Sequence, residues 1–473
     1  MALRVLAAVM APVPGSASHG AALLGMGAAL HADIDVVSSR RPGLAHAERR
    51  GNVRLLRVPE AGGTAEEARQ AFVRALCRQI DAQVYDVLHL RGPFFEAIAH
   101  ARRGPSPPRI LYEVATFPDE SEGAHAETLW NEAHERCLDA ADLILVPTLA
   151  AARSLEERGW GGKTAVVRPG VDVNRFDWWP AATDEVHRLL FLGNFAADRD
   201  LGTVLTAVRS LVSRGRKLRV LLAGEPDASR RERTRRLVTS FDLADVVEVR
   251  GEPVPGAVAT VVAAADVCIV PAAPVPRFQD HGDLPEPLLE YFACKRPVVA
   301  AGVPGVGEVL QDDREGLLYP PGDESALADA IATLLDDAAL RQRLVDAAYA
   351  RVRFELSESA RRRRIAEVYE MLMPGSQLFD AWSGSFERDS SVIVALDDTG
   401  SHPVVEESST DAIALLSDSE LNAVRDSSPE TTTTPGEDTS PGISAFETDP
   451  QAELPGSPTV VSRPEEPPEP AKD

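Results

Sequence analysis

Short apolar runs that alternate with helix-length segments are the feature that most limits how this chain can fold. Segments such as Ala65–Gln83 and His125–Ala140 lie between the runs and are long enough for helices. Strands that alternate with helices favour a parallel sheet that is covered on both faces. The predicted strands of this first series are Leu3–Met10, Ile34–Ser38, Val53–Val58, Val87–Leu90, Ile110–Glu113, Leu143–Pro147 and Thr164–Arg168.

A second series of the same kind begins near Arg188. Two series predict an α/β protein with two doubly wound, Rossmann-like domains that face a cleft, and ligands in such domains bind beyond the carboxyl ends of the strands. The predicted strands are Leu189–Leu192, Leu218–Ala223, Val246–Arg250, Val267–Val270, Val298–Ala300 and Gly316–Leu318. The predicted helices are Leu201–Arg214, Glu232–Phe241, Gly256–Ala264, Pro287–Ala293, Glu324–Asp336 and Ala338–Phe354.

The composition changes after Met373, where Ser, Thr, Pro, Asp and Glu begin to dominate. Residues 376–473 contain 21 acidic and 4 basic residues, so they contribute −17 to the net charge of −24. A segment of this kind cannot bury enough apolar surface to offset its conformational entropy. We therefore predict a first domain over residues 1–172, a second over residues 173–375, and a disordered acidic tail over residues 376–473.

Composition also excludes several classes of protein. No basic stripe suggests a nucleic-acid partner. The four cysteines form no CxxC pair, which argues against a zinc site or a disulfide framework and favours the reducing cytosol. No apolar run approaches the ~20 residues of a membrane span. The N-terminal segment has the composition of a signal peptide or of a buried strand, and the strand is preferred because it fits the alternation that follows.

Two segments of the second series carry residues that are suited to a phosphate and a sugar. In LLFLGNFAADRD, Gly193 ends a strand and Arg199 precedes a helix, which is a recurring arrangement for binding an anion. The spacing alone favours an ordinary loop with a solvated arginine. In PEPLLEYFACKRPVVA, Glu290 lies on a helix, where its carboxylate can accept hydrogen bonds from hydroxyl groups.

The run LLEYFACKRPVVA resembles the nucleotide-sugar site of the family 4 glycosyltransferases, which have the GT-B fold. Other segments resemble that family in the same order along the chain, and the resemblance covers residues 1 to about 373. These segments are ADLILVP and RPGVDVNRF (Ala141–Phe176), LLAGEP (Leu221–Pro226), ADVCIVPA (Ala265–Ala272) and the glycine-containing run Gly302–Asp323.

The resemblance implies roles for residues of both domains, although it assigns no catalytic residue. Glu290 takes the place of a glutamate that binds the ribose hydroxyls. The implied donor-phosphate site consists of Gly193, Asn194, Arg199 and Gly305. The implied nucleoside and sugar site consists of Gly224, Arg250, Glu286, Glu290 and Glu308, and the first-domain loop contributes Gly15, His19 and Gly20.

The chain also departs from the family pattern. Gly282 stands where the family has the glutamate that engages the transferred sugar, and Asp280, Asp283 and Glu286 are alternative carboxylates in the same loop. Asn194 replaces an arginine. Ala115 and Thr116 replace a more polar pair. His125 and His134, on the helix that follows, are expected at the surface.

The resemblance implies a retaining glycosyltransferase that moves a hexose from a nucleotide-sugar donor to an acceptor hydroxyl, without a metal or another cofactor. The alternative is a non-catalytic scaffold that keeps a partial nucleotide site and contacts a protein partner through its tail. The acceptor stays open between a glycan, a lipid-linked molecule and a small molecule, as does peripheral contact with a membrane. The resemblance also implies that a last helix, over residues 356–373, crosses back onto the first domain.

Overall fold

The computed structural model describes residues 3–13, 32–41, 43–59, 64–114, 124–176 and 186–374. All of them belong to one compact unit, Met1–Pro403. Two sets of predictions lie outside the described residues. They are the first-domain positions Gly15, His19, Gly20, Ala115 and Thr116, and the acidic tail over residues 376–473.

The first part of the chain forms an eight-stranded sheet in the order β3-β4-β2-β1-β5-β6-β7-β8. Its strands are β1 (Leu3–Pro12), β2 (Ala32–Ser39), β3 (Ala47–Arg50), β4 (Val53–Val58), β5 (Val87–Arg91), β6 (Arg109–Glu113), β7 (Leu143–Val146) and β8 (Thr164–Val166). Its helices are α1 (Ala65–Ala82), α2 (Phe95–Ala101), α3 (Ala124–Ala140) and α4 (Leu149–Glu157). Every strand pair is parallel except β3 with β4.

The second part forms a six-stranded parallel sheet in the order β11-β10-β9-β12-β13-β14. Its strands are β9 (His187–Leu192), β10 (Leu218–Ala223), β11 (Val247–Val249), β12 (Val267–Val270), β13 (Val298–Ala301) and β14 (Leu317–Tyr319). The helices are α5 (Leu201–Ser213), α6 (Ala228–Ser240), α7 (Val258–Ala263), α8 (Pro276–Gln279), α9 (Pro287–Ala293), α10 (Pro304–Gly307), α11 (Glu324–Asp336), α12 (Ala338–Phe354) and α13 (Glu358–Leu372). The architecture is therefore the predicted pair of parallel α/β domains.

The last helix, α13, packs against the first sheet although it follows the second sheet in the sequence. It begins at its N-cap Ser357, whose side chain accepts a hydrogen bond from the N–H of Ala360. The apolar stripe of α13 joins the core on one face of the first sheet, and the Tyr369 hydroxyl lies 2.9 Å from Nδ1 of His89 on β5. Burial of each large side chain in such a stripe contributes about 1.5–3 kcal/mol. This packing ties the end of the described chain to its beginning.

Three local features differ from the sequence predictions. Strand β3 was not predicted, because its residues are polar and it pairs at the sheet edge with β4 alone. Helix α6 begins four residues before the predicted Glu232, because Asp227 caps it by accepting from the N–H of Arg230. His134 is buried rather than exposed, and its Nδ1 lies 2.9 Å from the Tyr112 hydroxyl.

Within the described ranges, no helix combines the length and the apolar character that crossing a bilayer requires.

Candidate functional site at the cleft

Two glycines bring neighbouring loops together at the carboxyl edge of the second sheet. Gly193 follows β9, and its N–H donates to the carbonyl of Ala223 at 2.8 Å. Gly224 follows β10 with φ of +113°, and a Cβ there would lie 2.7 Å from backbone atoms of Gly193. Gly224 therefore requires glycine, since a side chain there would push the two loops apart. The structure brings these two predicted residues into direct contact.

Arg199 carries a positive charge to the start of α5. It ends a short 3₁₀ turn, and its guanidinium lies 5.3 Å from the centre of the Phe278 ring. Its Nε donates to Oδ1 of Asn194 at 3.3 Å. Asn194 thus orients Arg199, so the two predicted phosphate-binding residues act as a pair. A helix N-terminus with an adjacent cation is suited to bind a phosphate group.

Glu290 lies in the first turn of α9 and is mostly buried. Burial raises the pKa of its carboxyl group to about 7, and the nearby Glu286 acts in the same direction, while Arg175 opposes the shift. Among the described residues, no group donates a hydrogen bond to this carboxylate. A buried carboxylate without a donor costs free energy. Its position therefore fits a ligand that supplies hydrogen-bond donors.

Glu286 is the N-cap residue of α9 and precedes Glu290 by one helical turn. Its Oε1 lies 3.3 Å from Nη2 of Arg91, which ends β5 in the first domain. The two side chains meet at a small open cavity between the domains. The cavity is lined by Arg91, Glu113, Val114, Leu145, Val146, Pro147, Val167, Pro169, Leu284, Glu286 and Arg361.

A buried polar network supports the first-domain side of this cavity. Glu113 ends β6, and its carboxylate contacts Arg361 at 2.6 Å, His89 at 3.0 Å and Arg91 at 3.4 Å. None of these four residues was predicted as a site residue from the sequence. One signal was present, because Arg91 and Glu113 are charged residues that end apolar strands, and strand ends are where ligands bind in such sheets.

A second contact between the domains, which we call the clasp, joins the start of α4 to the loop at Gly282. The Thr148 hydroxyl donates to the Gly282 carbonyl at 2.8 Å. Gly282 has φ of +58°, and a Cβ there would lie 2.3 Å from Cβ of Ala150. Gly305 is packed behind this loop, since its Cβ would lie 2.3 Å from the Gly282 carbonyl oxygen. Gly305 therefore supports the loop by close backbone approach.

Glu308, which was predicted to take part in nucleoside or sugar binding, completes the clasp. Its two carboxylate oxygens accept hydrogen bonds from the N–H groups of Leu149 and Ala150, both at 2.8 Å. Arg168 lies 3.7 Å from the same carboxylate. A carboxylate at a helix N-terminus satisfies amides that have no partner within the helix. Glu308 therefore caps α4, and both of its oxygens are already engaged.

The remaining acidic and basic candidates occupy different surroundings. Asp283 is buried in an ion pair with Arg277 at 2.6 Å, and Arg277 also contacts Asp198 at 2.8 Å. Asp280 is exposed. Arg250 follows β11, where its guanidinium contacts the Glu248 carboxylate at 3.0 Å through Nη2. Asp283 is thus held in a structural ion pair, whereas Glu286 reaches the cavity.

Two family models match this chain. The model described as Glycosyltransferase Family 4 matches residues 15–175, and the model described as Glycosyl transferases group 1 matches residues 186–337. Together they span more than half of the sequence. This chain belongs to the family 4 glycosyltransferases. The family's two models correspond to the regions that contain the first and second sheets.

Curated relatives of this glycosyltransferase-family chain include two bacterial enzymes. An alpha-D-kanosaminyltransferase of Streptomyces kanamyceticus is 28% identical over 181 residues, which cover 38% of this chain and 45% of that protein. A D-inositol 3-phosphate glycosyltransferase of Corynebacterium urealyticum is 28% identical over 275 residues, covering 53% of this chain and 62% of the relative. The matches thus span about half the length of these relatives.

Solved structures show that the family's GT-B fold is shared. Sucrose-phosphate synthase from Thermosynechococcus elongatus superposes with a TM-score of 0.66 at 20% identity, over 78% of this chain and 99% of that one. Anabaena Alr3699/HepE, solved in complex with UDP-glucose, gives a TM-score of 0.60 at 16% identity, over 78% and 100% of the two chains. At these identities the likeness shows the fold alone.

Membership of the family gives the clasp a particular meaning. By the resemblance described above, Gly282, eight residues before Glu290, stands where the family has a sugar-contacting glutamate. In this glycosyltransferase-family chain that position contacts Ala150 and Thr148 of the opposite domain. The departure at Gly282 is therefore coupled to an interdomain contact.

Proposed function

We propose that this protein is a retaining glycosyltransferase that moves a hexose from a nucleotide-diphosphate sugar to an acceptor hydroxyl. The observation that carries the proposal is the Glu290 carboxylate, which is mostly buried at the cleft and receives no hydrogen bond from the described residues. A ribose presents two adjacent hydroxyl donors, which such a carboxylate can accept. Glu290 would hold the nucleoside without taking part in the chemistry.

The donor diphosphate would lie beside the loop that follows β9. Gly193 leaves room for a phosphate to approach the backbone, and Arg199 supplies a positive charge at the start of α5. During transfer the acceptor oxygen bonds to the anomeric carbon, and the bond from that carbon to the diphosphate breaks. Negative charge grows on the leaving diphosphate, which takes up the proton of the acceptor hydroxyl. Arg199 and the helix end would stabilise this charge because both are already in place.

We propose that the reaction needs no metal or other cofactor, because Arg199 and the helix end supply positive charge where the leaving group forms. The HepE complex with UDP-glucose supports a nucleotide-sugar as the class of donor. The thiols of Cys77, Cys137, Cys268 and Cys294 form no disulfide, which is compatible with a protein of the reducing cytosol.

The second candidate is a non-catalytic GT-B scaffold that keeps a partial nucleotide site. Two observations favour it. The clasp occupies the position of the family's sugar-contacting glutamate, and Asn194 replaces an arginine at the phosphate loop. In this case the acidic tail over residues 376–473 would contact a protein partner.

Activity and binding assays distinguish the two candidates. The full chain is incubated with UDP-, GDP-, ADP- and dTDP-sugars in EDTA, and release of the nucleoside diphosphate is measured with and without simple glycoside acceptors. The proposal predicts release from one class of donor, insensitivity to EDTA, and a product that keeps the donor's anomeric configuration. Binding of a nucleoside diphosphate without any release would support the scaffold instead.

A further inference from the structure

The position that the family uses to contact the transferred sugar is closed to a glutamate in this chain. Gly282 adopts φ of +58°, in the left-handed region, and a Cβ there would lie 2.3 Å from Cβ of Ala150. Its carbonyl also accepts the Thr148 hydroxyl of the clasp. Backbone strain and steric overlap both act against any larger residue. If the protein binds a sugar at this cleft, another group must provide the carboxylate.

Only one of the neighbouring acidic residues is placed to replace it. Asp283 is buried, and its two oxygens accept hydrogen bonds from Arg277 and from the N–H of Leu284. Asp280 is exposed at the end of α8 and does not line the cavity. Glu286 lines the cavity, and 41% of its side chain is exposed. It also lies one turn from Glu290 on the same side of α9.

Arg91 positions the Glu286 carboxylate from the opposite domain. Its Nη2 lies 3.3 Å from one oxygen of Glu286, and its Nη1 lies 3.4 Å from Glu113. Contact through one oxygen leaves the second oxygen of Glu286 able to accept from a ligand. Arg91 is itself held by a carboxylate that Arg361 and His89 fix in place. The Arg91 side chain therefore holds the Glu286 carboxylate in a defined orientation beside the cavity.

The cavity is lined by apolar and by charged side chains. The apolar residues are Val114, Leu145, Val146, Val167 and Leu284, and two of the charged residues, Glu113 and Arg361, are buried. A pyranose ring presents C–H groups on one face and hydroxyls around its edge. An apolar wall with a few convergent polar groups is the usual composition of a small-ligand site.

We propose that Glu286, positioned by Arg91, contacts hydroxyls of the transferred sugar in place of the family glutamate that Gly282 has displaced. The inference rests on the proposed function, since it concerns the sugar of the same donor. Glu290 holds the nucleoside, and Glu286 distinguishes a donor that carries its sugar from the bare diphosphate. Arg91 is a positioning residue that acts through Glu286.

The test is the ratio between two dissociation constants, measured by calorimetry on the full chain. The probes are UDP, GDP, ADP and dTDP with UDP-glucose, GDP-mannose, ADP-glucose and dTDP-glucose, and the tightest pair is used. Glu286→Gln should weaken the nucleotide-sugar about ten-fold or more and change the diphosphate by less than about two-fold. Asp280→Asn, which removes one charge from the same loop, should leave both constants within about two-fold of wild type.

Variants of Arg91 test the same ratio of dissociation constants independently. Arg91→Gln should lower the preference for the nucleotide-sugar in the same direction as Glu286→Gln, and the two effects should not add in the double variant. Arg91→Lys should restore part of the preference. A purely structural role for Arg91 would weaken both probes together.

Each outcome decides a different claim. An unchanged ratio in Glu286→Gln, in a protein that melts like wild type and still binds the diphosphate, overturns the role of Glu286 and leaves the proposed function intact. Failure of the wild-type chain to bind any of the eight probes overturns the proposed function and the inference with it.

Discussion

Glu290 and Glu308 are two carboxylates on neighbouring elements of the second domain, and the structure uses them in opposite ways. Both oxygens of Glu308 accept backbone hydrogen bonds at 2.8 Å from the start of α4. Glu290 receives no hydrogen bond from the described residues, and burial raises the pKa of its carboxyl group to about 7. One carboxylate stabilises the fold, whereas we propose that the other binds a ligand.

The same contrast extends to the surroundings of each residue. The clasp satisfies its polar groups internally, because the first amides of α4 are bonded to Glu308 and to the Thr148 side chain. Glu286 lines the cavity between the domains, and Glu290 lies one turn further along α9. Residues in the clasp should therefore affect the free energy of unfolding, and Glu286 and Glu290 should affect binding.

The largest effect is expected from restoring the family glutamate. Gly282→Glu should lower the free energy of unfolding by about 3 kcal/mol or more, because it combines a strained backbone angle with a steric overlap on Ala150. Chemical denaturation of the full chain measures this. Gly256→Ala, at an open position near the surface, is the matched control. Full stability in Gly282→Glu would mean that the clasp opens at little cost.

A smaller loss of stability is expected when the clasp loses its carboxylate. Glu308→Ala should cost about 2 kcal/mol, because two amides at the start of α4 lose their acceptor. Binding of nucleoside diphosphates should stay within about two-fold of wild type, since Glu308 faces α4. Glu324→Ala, an exposed glutamate in the first turn of α11, provides the control. A larger effect of Glu308→Ala on binding than on stability would show that Glu308 contacts the ligand.

The free energy of unfolding should depend on pH through the carboxyl group of Glu290. Its pKa is raised from 4.5 to about 7, so the folded state holds the proton more tightly than the unfolded chain does. The contribution of Glu290 to stability is therefore greatest at low pH and falls as the pH rises from about 4.5 to about 7. Glu290→Gln should remove this fall. Identical stability profiles for the two proteins would contradict the raised pKa.

Binding should change with pH in the opposite direction. A ribose hydroxyl donates to the ionised carboxylate, so the affinity of wild type relative to Glu290→Gln should increase between pH 6 and pH 8. The ratio of the two proteins' affinities does not depend on the titration of the ligand's own phosphate, because both proteins bind the same ligand. A ratio that does not change over this range would show that Glu290 does not contact the nucleoside.

The sequence predicted the parts that depend on local patterns. Apolar runs located thirteen of the fourteen strands, and the run around Glu290 placed that residue on a helix at a strand edge. The polar strand β3 has no such pattern, because only its pairing with β4 makes it a strand. The contact between Glu308 and Leu149 joins residues 159 positions apart, and no local spacing reveals it. The clasp and the Glu113 network are tertiary features, so the capping contact of Glu308 could not be predicted from the sequence.

The central claim is that the Glu290 carboxylate binds the nucleoside of a nucleotide-sugar. Calorimetric titration of the full chain with UDP, GDP, ADP and dTDP, in wild type and in Glu290→Ala, tests it most directly. We expect saturable binding of at least one of these diphosphates to wild type. Glu290→Ala should lose about 1–3 kcal/mol of binding free energy and should be as stable as wild type. Equal affinities for every diphosphate in the two proteins, or no binding by wild type, would contradict it.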